Sequence, residues 1–108
     1  MNTVRTAGDA PVLDGKMLGD RLELVARGSW TAAHVQVLEQ QVNAAAAEVG
    51  KARATSIDMA GVHELDTLGA WLLERLIRNG GEAGRTAEFV GLPGHFRGLL
   101  DEVHQVNR

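Results

Sequence analysis

The spacing of apolar residues switches between a period of two and a period of 3.6 along this chain, and the order of the switches admits few folds. Arg21-Leu22-Glu23-Leu24-Val25-Ala26 alternates polar with apolar side chains, the pattern of a half-buried strand. Gly28-Ser29-Trp30-Thr31 breaks that alternation, with Ser29 or Thr31 as the expected helix cap. Val35, Leu38, Val42, Ala45 or Ala46, and Val49 then fall on one helical stripe, with Gln and Glu opposite and Gly50 at the end. Arg53 to Met59 reads as a short strand with Ile57 and Met59 inward, and Gly61 to Leu65 reads as a loop. Gly69, Leu72, Leu73, Leu76 and Ile77 form a second buried stripe, which Gly80-Gly81 stops. Thr86 to Leu92 reads as a strand. Pro93 suits a first helical turn, and Phe96, Leu99, Leu100 and Val103 give the apolar face of a last helix.

Ahead of these elements, Pro11 to Leu18 offers a weaker strand that turns at Gly19-Asp20 in preference to Asp14-Gly15. The order is therefore β-β-α-β-α-β-α. Strands alternating with helices imply right-handed crossovers and a parallel sheet, to which the opening hairpin adds an antiparallel pair. The expected fold is α/β, a single domain with a mixed, largely parallel sheet of four to five strands and three main helices. Residues 1–10, small and polar, are expected as a flexible N-terminus and residues 11–108 as the domain. A chain of 108 residues suffices for one such domain and not for two.

Composition removes several function classes. Eleven basic against 14 acidic residues, with no basic run, argue against nucleic acid as a partner. No apolar stretch approaches the length of a membrane span, and the first residues are not a signal peptide. With no cysteine, disulfides and thiolate metal sites are excluded. The four histidines, His34, His63, His95 and His104, share no ligand spacing with a carboxylate, so no metal site is expected. Gly80-Gly81-Glu82-Ala83-Gly84 lacks the lysine and the strand-to-helix context of a phosphate-binding loop, and no serine sits in a nucleophile elbow. Neither an enzyme nor a cofactor is expected.

One region stands out. Asp58-Met59-Ala60 ends a strand, and Asp66-Thr67-Leu68-Gly69 opens a helix. Asp66 suits the N-cap, where it accepts from free N–H groups and meets the positive end of the helix dipole. If Gly69 faces the sheet, Thr67 faces away from it, its hydroxyl beside unsatisfied backbone N–H groups that would donate to a phosphate added there. Thr67, Trp71, Glu74, Arg75 and Arg78 recur on the outward stripe of this helix. Trp71 there is either an interface anchor or a residue covered by its own chain. Trp30 is placed at the same end of the sheet, either lining the same surface or stapling the entry to the first helix.

The stretch from Asp58 to Leu73 resembles the signature of the STAS family (sulfate transporter and anti-sigma factor antagonist): an Asp-Leu-Ser type strand end, a short loop, then Asp-Ser/Thr-x-Gly opening a helix. The matching residues are Asp58-Met59-Ala60 and Asp66-Thr67-Leu68-Gly69. The resemblance implies a cytoplasmic protein-binding module, a monomer or weak homodimer. Two roles follow from it. In Mla-type lipid ABC transporters a STAS domain, free or fused in front of the permease, contacts the ATPase subunit at the inner face of the cytoplasmic membrane. That implies partner contact through Asp66, Thr67, Leu68, Trp71 and Arg75, with Trp30 beside them. In anti-sigma factor antagonists a kinase phosphorylates the Ser or Thr after the aspartate, here Thr67. Leu68 stands where that group has a second small residue.

Overall fold

The hairpin that opens the domain turns where a residue must adopt a left-handed backbone. Gly19, with φ of 64°, joins strands β1 (Val12–Leu18) and β2 (Arg21–Trp30), which pair antiparallel from Leu18 opposite Arg21 to Val12 opposite Arg27. Asp14 and Gly15 lie within β1, so of the two turns open to the sequence it is the second that forms. The computed structural model describes residues 10–106. The expected flexible N-terminus, apart from Ala10, and the last two residues lie outside the described residues.

From β2 the chain enters helix α1 (Val35–Val49), strand β3 (Ala54–Leu65), helix α2 (Thr67–Gly80), strand β4 (Thr86–Val90) and helix α3 (Arg97–Val106). The sheet has four strands in the order β1-β2-β3-β4, with β2, β3 and β4 mutually parallel. Two same-handed crossovers that step the same way across a sheet put both helices on one face, and α1 and α2 pack side by side. Leu22, Leu24 and Ala26 of β2 and Ile57 and Met59 of β3 are buried beneath them. The α1 stripe buries Leu38, Val42, Ala45 and Val49, which gives the buried place to Ala45 and leaves Ala46 at the flank. The α2 stripe buries Gly69, Leu72, Leu73 and Leu76.

Three local expectations give way to the structure. Gly28-Ser29-Trp30 continues β2, because Gly28, at φ of 86°, absorbs an irregularity without ending the pairing. The segment Gly61 to Leu65 is strand and not loop, paired along β2 as far as Trp30 opposite Leu65. Its polar composition reflects a stretch that leaves β4 behind: β3 pairs with β4 only up to Asp58 opposite Val90. Neither Ser29 nor Thr31 caps α1. Ser29 is buried, its Oγ donating to Glu64 Oε1 at 2.7 Å, and a 3-10 turn at Ala32–His34 leads into the helix.

The far end of the domain is tied by a residue with no place in any motif. The Arg85 guanidinium donates to Gly50 O at 2.5 Å, Val49 O at 3.4 Å, Asn79 O at 2.7 Å and Glu82 O at 3.0 Å. The last carbonyls of a helix have no intrahelical donor, and this one cation serves the ends of both α1 and α2. Arg85→Ala should lower the unfolding free energy by about 2–3 kcal/mol, since hydrogen bonds to a charged group are worth roughly 1.5–3 kcal/mol each and these are part-exposed. Arg85→Lys should recover less than half of that loss, because an ammonium lacks the planar fork. Urea denaturation of the three proteins measures both, and an unchanged midpoint for Arg85→Ala would refute the tie.

Candidate protein-binding site

The start of α2 is fixed by one aspartate and one missing side chain. Asp66 takes an extended backbone, with φ of −115° and ψ of −175°, and its Oδ1 accepts from Gly69 N–H at 3.0 Å. Its Oδ2 accepts from Ala32 N–H at 2.8 Å, across the gap to the entry of α1. The Asp66 N–H donates to Trp30 O at 3.3 Å. Both carboxylate oxygens are thus engaged, and the charge sits at the positive end of the α2 dipole. Gly69 lies so close to the end of β2 that a Cβ there would stand 2.0 Å from Trp30 O. Only glycine lets the first turn of α2 approach that carbonyl.

Asp58 is structural in the same way. Its Oδ1 accepts from Ala60 N–H at 2.9 Å, bending β3 where the pairing with β4 ends. Gly91, at φ of 63°, passes close enough that a Cβ would meet this oxygen at 2.8 Å.

What these anchors present is an outward stripe. Thr67 is exposed, and Trp71 keeps 41% of its surface open. The Arg75 guanidinium carbon lies 5.7 Å from the Trp71 ring centroid, within cation–π range, and its Nη2 donates to Asn43 Oδ1 of α1 at 3.3 Å. Thr67 and Trp71 form one wall of a groove of about 240 Å³, whose other wall is Leu99, Glu102, Val103 and Val106 of α3. The N–H groups of Thr67 and Leu68 belong to the first turn, where no intrahelical acceptor exists.

Two expected members of the surface are elsewhere. Trp30 is fully buried in the core, its Nε1 donating to Arg27 O at 3.1 Å. A large apolar ring gains more from burial than a surface offers it, so its side chain is withheld from the stripe and packs in the core, while its carbonyl meets the start of α2. Glu74 is not outward either. It is 3% exposed, held under α3 by His104. Leu68 is half-buried and packs against the core. The exposed set is therefore Thr67, Trp71 and Arg78, with Arg75 half-buried beside them. The sequence reading missed the α3 wall. Leu99 and Val103 were read as the apolar face of this helix, and Val106, 81% exposed, extends that face beyond it.

A family model described as "Mlab, STAS domain" matches residues 16–104. No curated protein matches the chain. Among solved structures, the anti-sigma factor antagonist SpoIIAA in its unphosphorylated form superposes with a TM-score of 0.63 at 11% identity, over 83% of this chain and 82% of that one. An anti-sigma factor antagonist from Mycobacterium paratuberculosis gives a TM-score of 0.64 at 18% identity, over 91% and 94% of the two chains. The murine anion transporter Slc26a9 gives 0.68 at 13% identity, with 93% of this chain matched to 19% of the transporter. At these identities the likeness is one of fold.

Gly69→Ala should destabilise the protein by about 2–3 kcal/mol, because Trp30 O is backbone and the helix must retreat from it. Asp66→Ala should cost about 1–2 kcal/mol as a lost cap, and should speed amide exchange at both Ala32 and Gly69. Urea titration and exchange by NMR read these effects, and wild-type protection at Ala32 in Asp66→Ala would contradict the bridging role.

Proposed function

This chain belongs to the STAS domain family, and on that premise we propose that it is a non-enzymatic protein-binding module of a Mla-type phospholipid ABC transporter, docking on the ATPase subunit through the start of α2. The observation that carries the reading is the match of residues 16–104 to the Mlab type of STAS domain. The geometry supports it. A helix start braced by Asp66 and Gly69 presents Thr67 and, further along the same stripe, the Trp71 ring with Arg75 beside it. Tryptophan and arginine are the side chains on which interfaces most depend. The chain serves as a stand-alone subunit or as the N-terminal domain of a permease, at the inner face of the membrane. Among the described residues no helix is long and apolar enough to cross a membrane, so in this reading the membrane is reached through the partner.

A second reading, an anti-sigma factor antagonist switched by phosphorylation of Thr67, is favoured by the exposed hydroxyl at a helix N-terminus and by the likeness in fold to two such antagonists. A phosphate on Thr67 would meet the N–H groups of the first turn of α2. It would also meet Asp66, whose oxygens are already committed to Gly69 and Ala32 and whose charge opposes it.

Co-purification with the ATPase subunit of a Mla-type ABC transporter tests the first reading. Thr67→Arg and Trp71→Ala should each weaken the complex by about tenfold or more, on the roughly 2 kcal/mol expected of an anchor residue. Normal complex formation by both variants would remove α2 as the contact. For the second reading, incubation with the cognate anti-sigma kinase and ATP should label the wild type and leave Thr67→Ala unlabelled.

A further inference from the structure

Among the described residues one charged side chain is buried, the carboxylate of Glu74. It lies at the seam between α2 and α3. His104 Nδ1 of α3 is 2.5 Å from Glu74 Oε2, and Arg78 Nε, one turn further along α2, is 4.0 Å from it. Both partners reach in from solvent, with side chains 54% and 45% exposed. A buried carboxylate with such partners is a poor choice for a permanent seam, because an apolar side chain of similar volume packs there at least as well.

The rest of α3 is held lightly. Its fully buried residues are Leu100 and Val103, which with Ala70 form an apolar cluster separate from the main core. Arg97, Asp101, Glu102, Gln105 and Val106 are exposed. The connection from β4 begins at Gly91 in the left-handed region and continues through Pro93 and Gly94. Elements with few buried apolar contacts are the first to open in a native protein. α3 is also the wall that faces Thr67 and Trp71 across the groove.

We propose that α3 is a movable wall, hinged at Gly91–Gly94, and that the Glu74–His104 pair is the clasp that closes it. Opening uncovers Ala70 and Glu74 and turns the narrow groove into a broad face of α2 continuous with Thr67 and Trp71. The closed form masks that face. A polar clasp suits a seam that must part, because the Glu74 carboxyl and the His104 ring nitrogen can exchange their contact for water when it does.

Hydrogen exchange on the full chain tests this. In the wild type, amides of Leu100, Val103 and His104 should exchange about tenfold or more faster than those of Leu72, Leu73 and Leu76, and low urea should speed them with a shallower slope than global unfolding gives. His104→Ala should speed the α3 amides further, by about fivefold, and leave the α2 amides as they were. Glu74→Leu should slow the α3 amides. Should Glu74→Leu fail to fold, His104→Ala decides by itself. Equal exchange of the two helices in the wild type would overturn the proposal. So would His104→Ala altering both helices alike or neither, or Glu74→Leu speeding α3.

Discussion

The passage of α2 against the end of β2 is the contact on which the rest of the site depends. Trp30 ends the strand, its ring in the core and its carbonyl turned toward the helix. The carbonyl accepts from Asp66 N–H and lies where a side chain on Gly69 would stand. Asp66 then reaches in two directions, to Gly69 within its own helix and to Ala32 at the entry of α1. One short segment thereby sets three things at once: the end of β2, the entry to α1 and the first turn of α2. Thr67 and Trp71 are displayed by a helix that has little freedom to shift.

Much of this was legible in the sequence, and the exceptions share a physical origin. The stripes of α1 and α2 were readable because each helix buries one face against one sheet, and period alone reports that. Asp66 and Gly69 were readable because capping and close approach demand particular residue types. Glu74 was misread because a helical wheel knows only its own helix. By spacing it belongs with Thr67 and Trp71, and only the arrival of α3 thirty residues later encloses it. Arg85 was invisible for the same reason, since the carbonyls it serves belong to elements distant in the chain. Trp30 was placed at the correct end of the sheet, but which way its ring turned depended on the depth of the core beneath. The polar letters of Gly61 to Leu65 suggested a loop, although a strand bordered on only one side needs few apolar residues.

The site and the stability of the fold are therefore carried by neighbouring but different residues. Asp66 and Gly69, the most motif-like residues, are structural supports. The exposed residues of the stripe, Thr67, Trp71 and Arg78, lie outside the main core. This division lets the display surface vary while its frame stays fixed, and the same fold recurs in an anti-sigma factor antagonist and within an anion transporter.

The strand order β1-β2-β3-β4 has a consequence for how the domain is made. Neighbours in the sheet are neighbours in the chain, so no strand waits for a later one to be inserted beside it. A chain emerging from the ribosome can lay down the hairpin first and dock each βα unit on the growing edge, the outer edge of β1 being the other unpaired one. Arg85 enters with the last strand, and its arrival seals the two helix ends formed before it. Assembly thus proceeds in one direction, and after that tie only α3 remains to be added, against the groove beside Thr67.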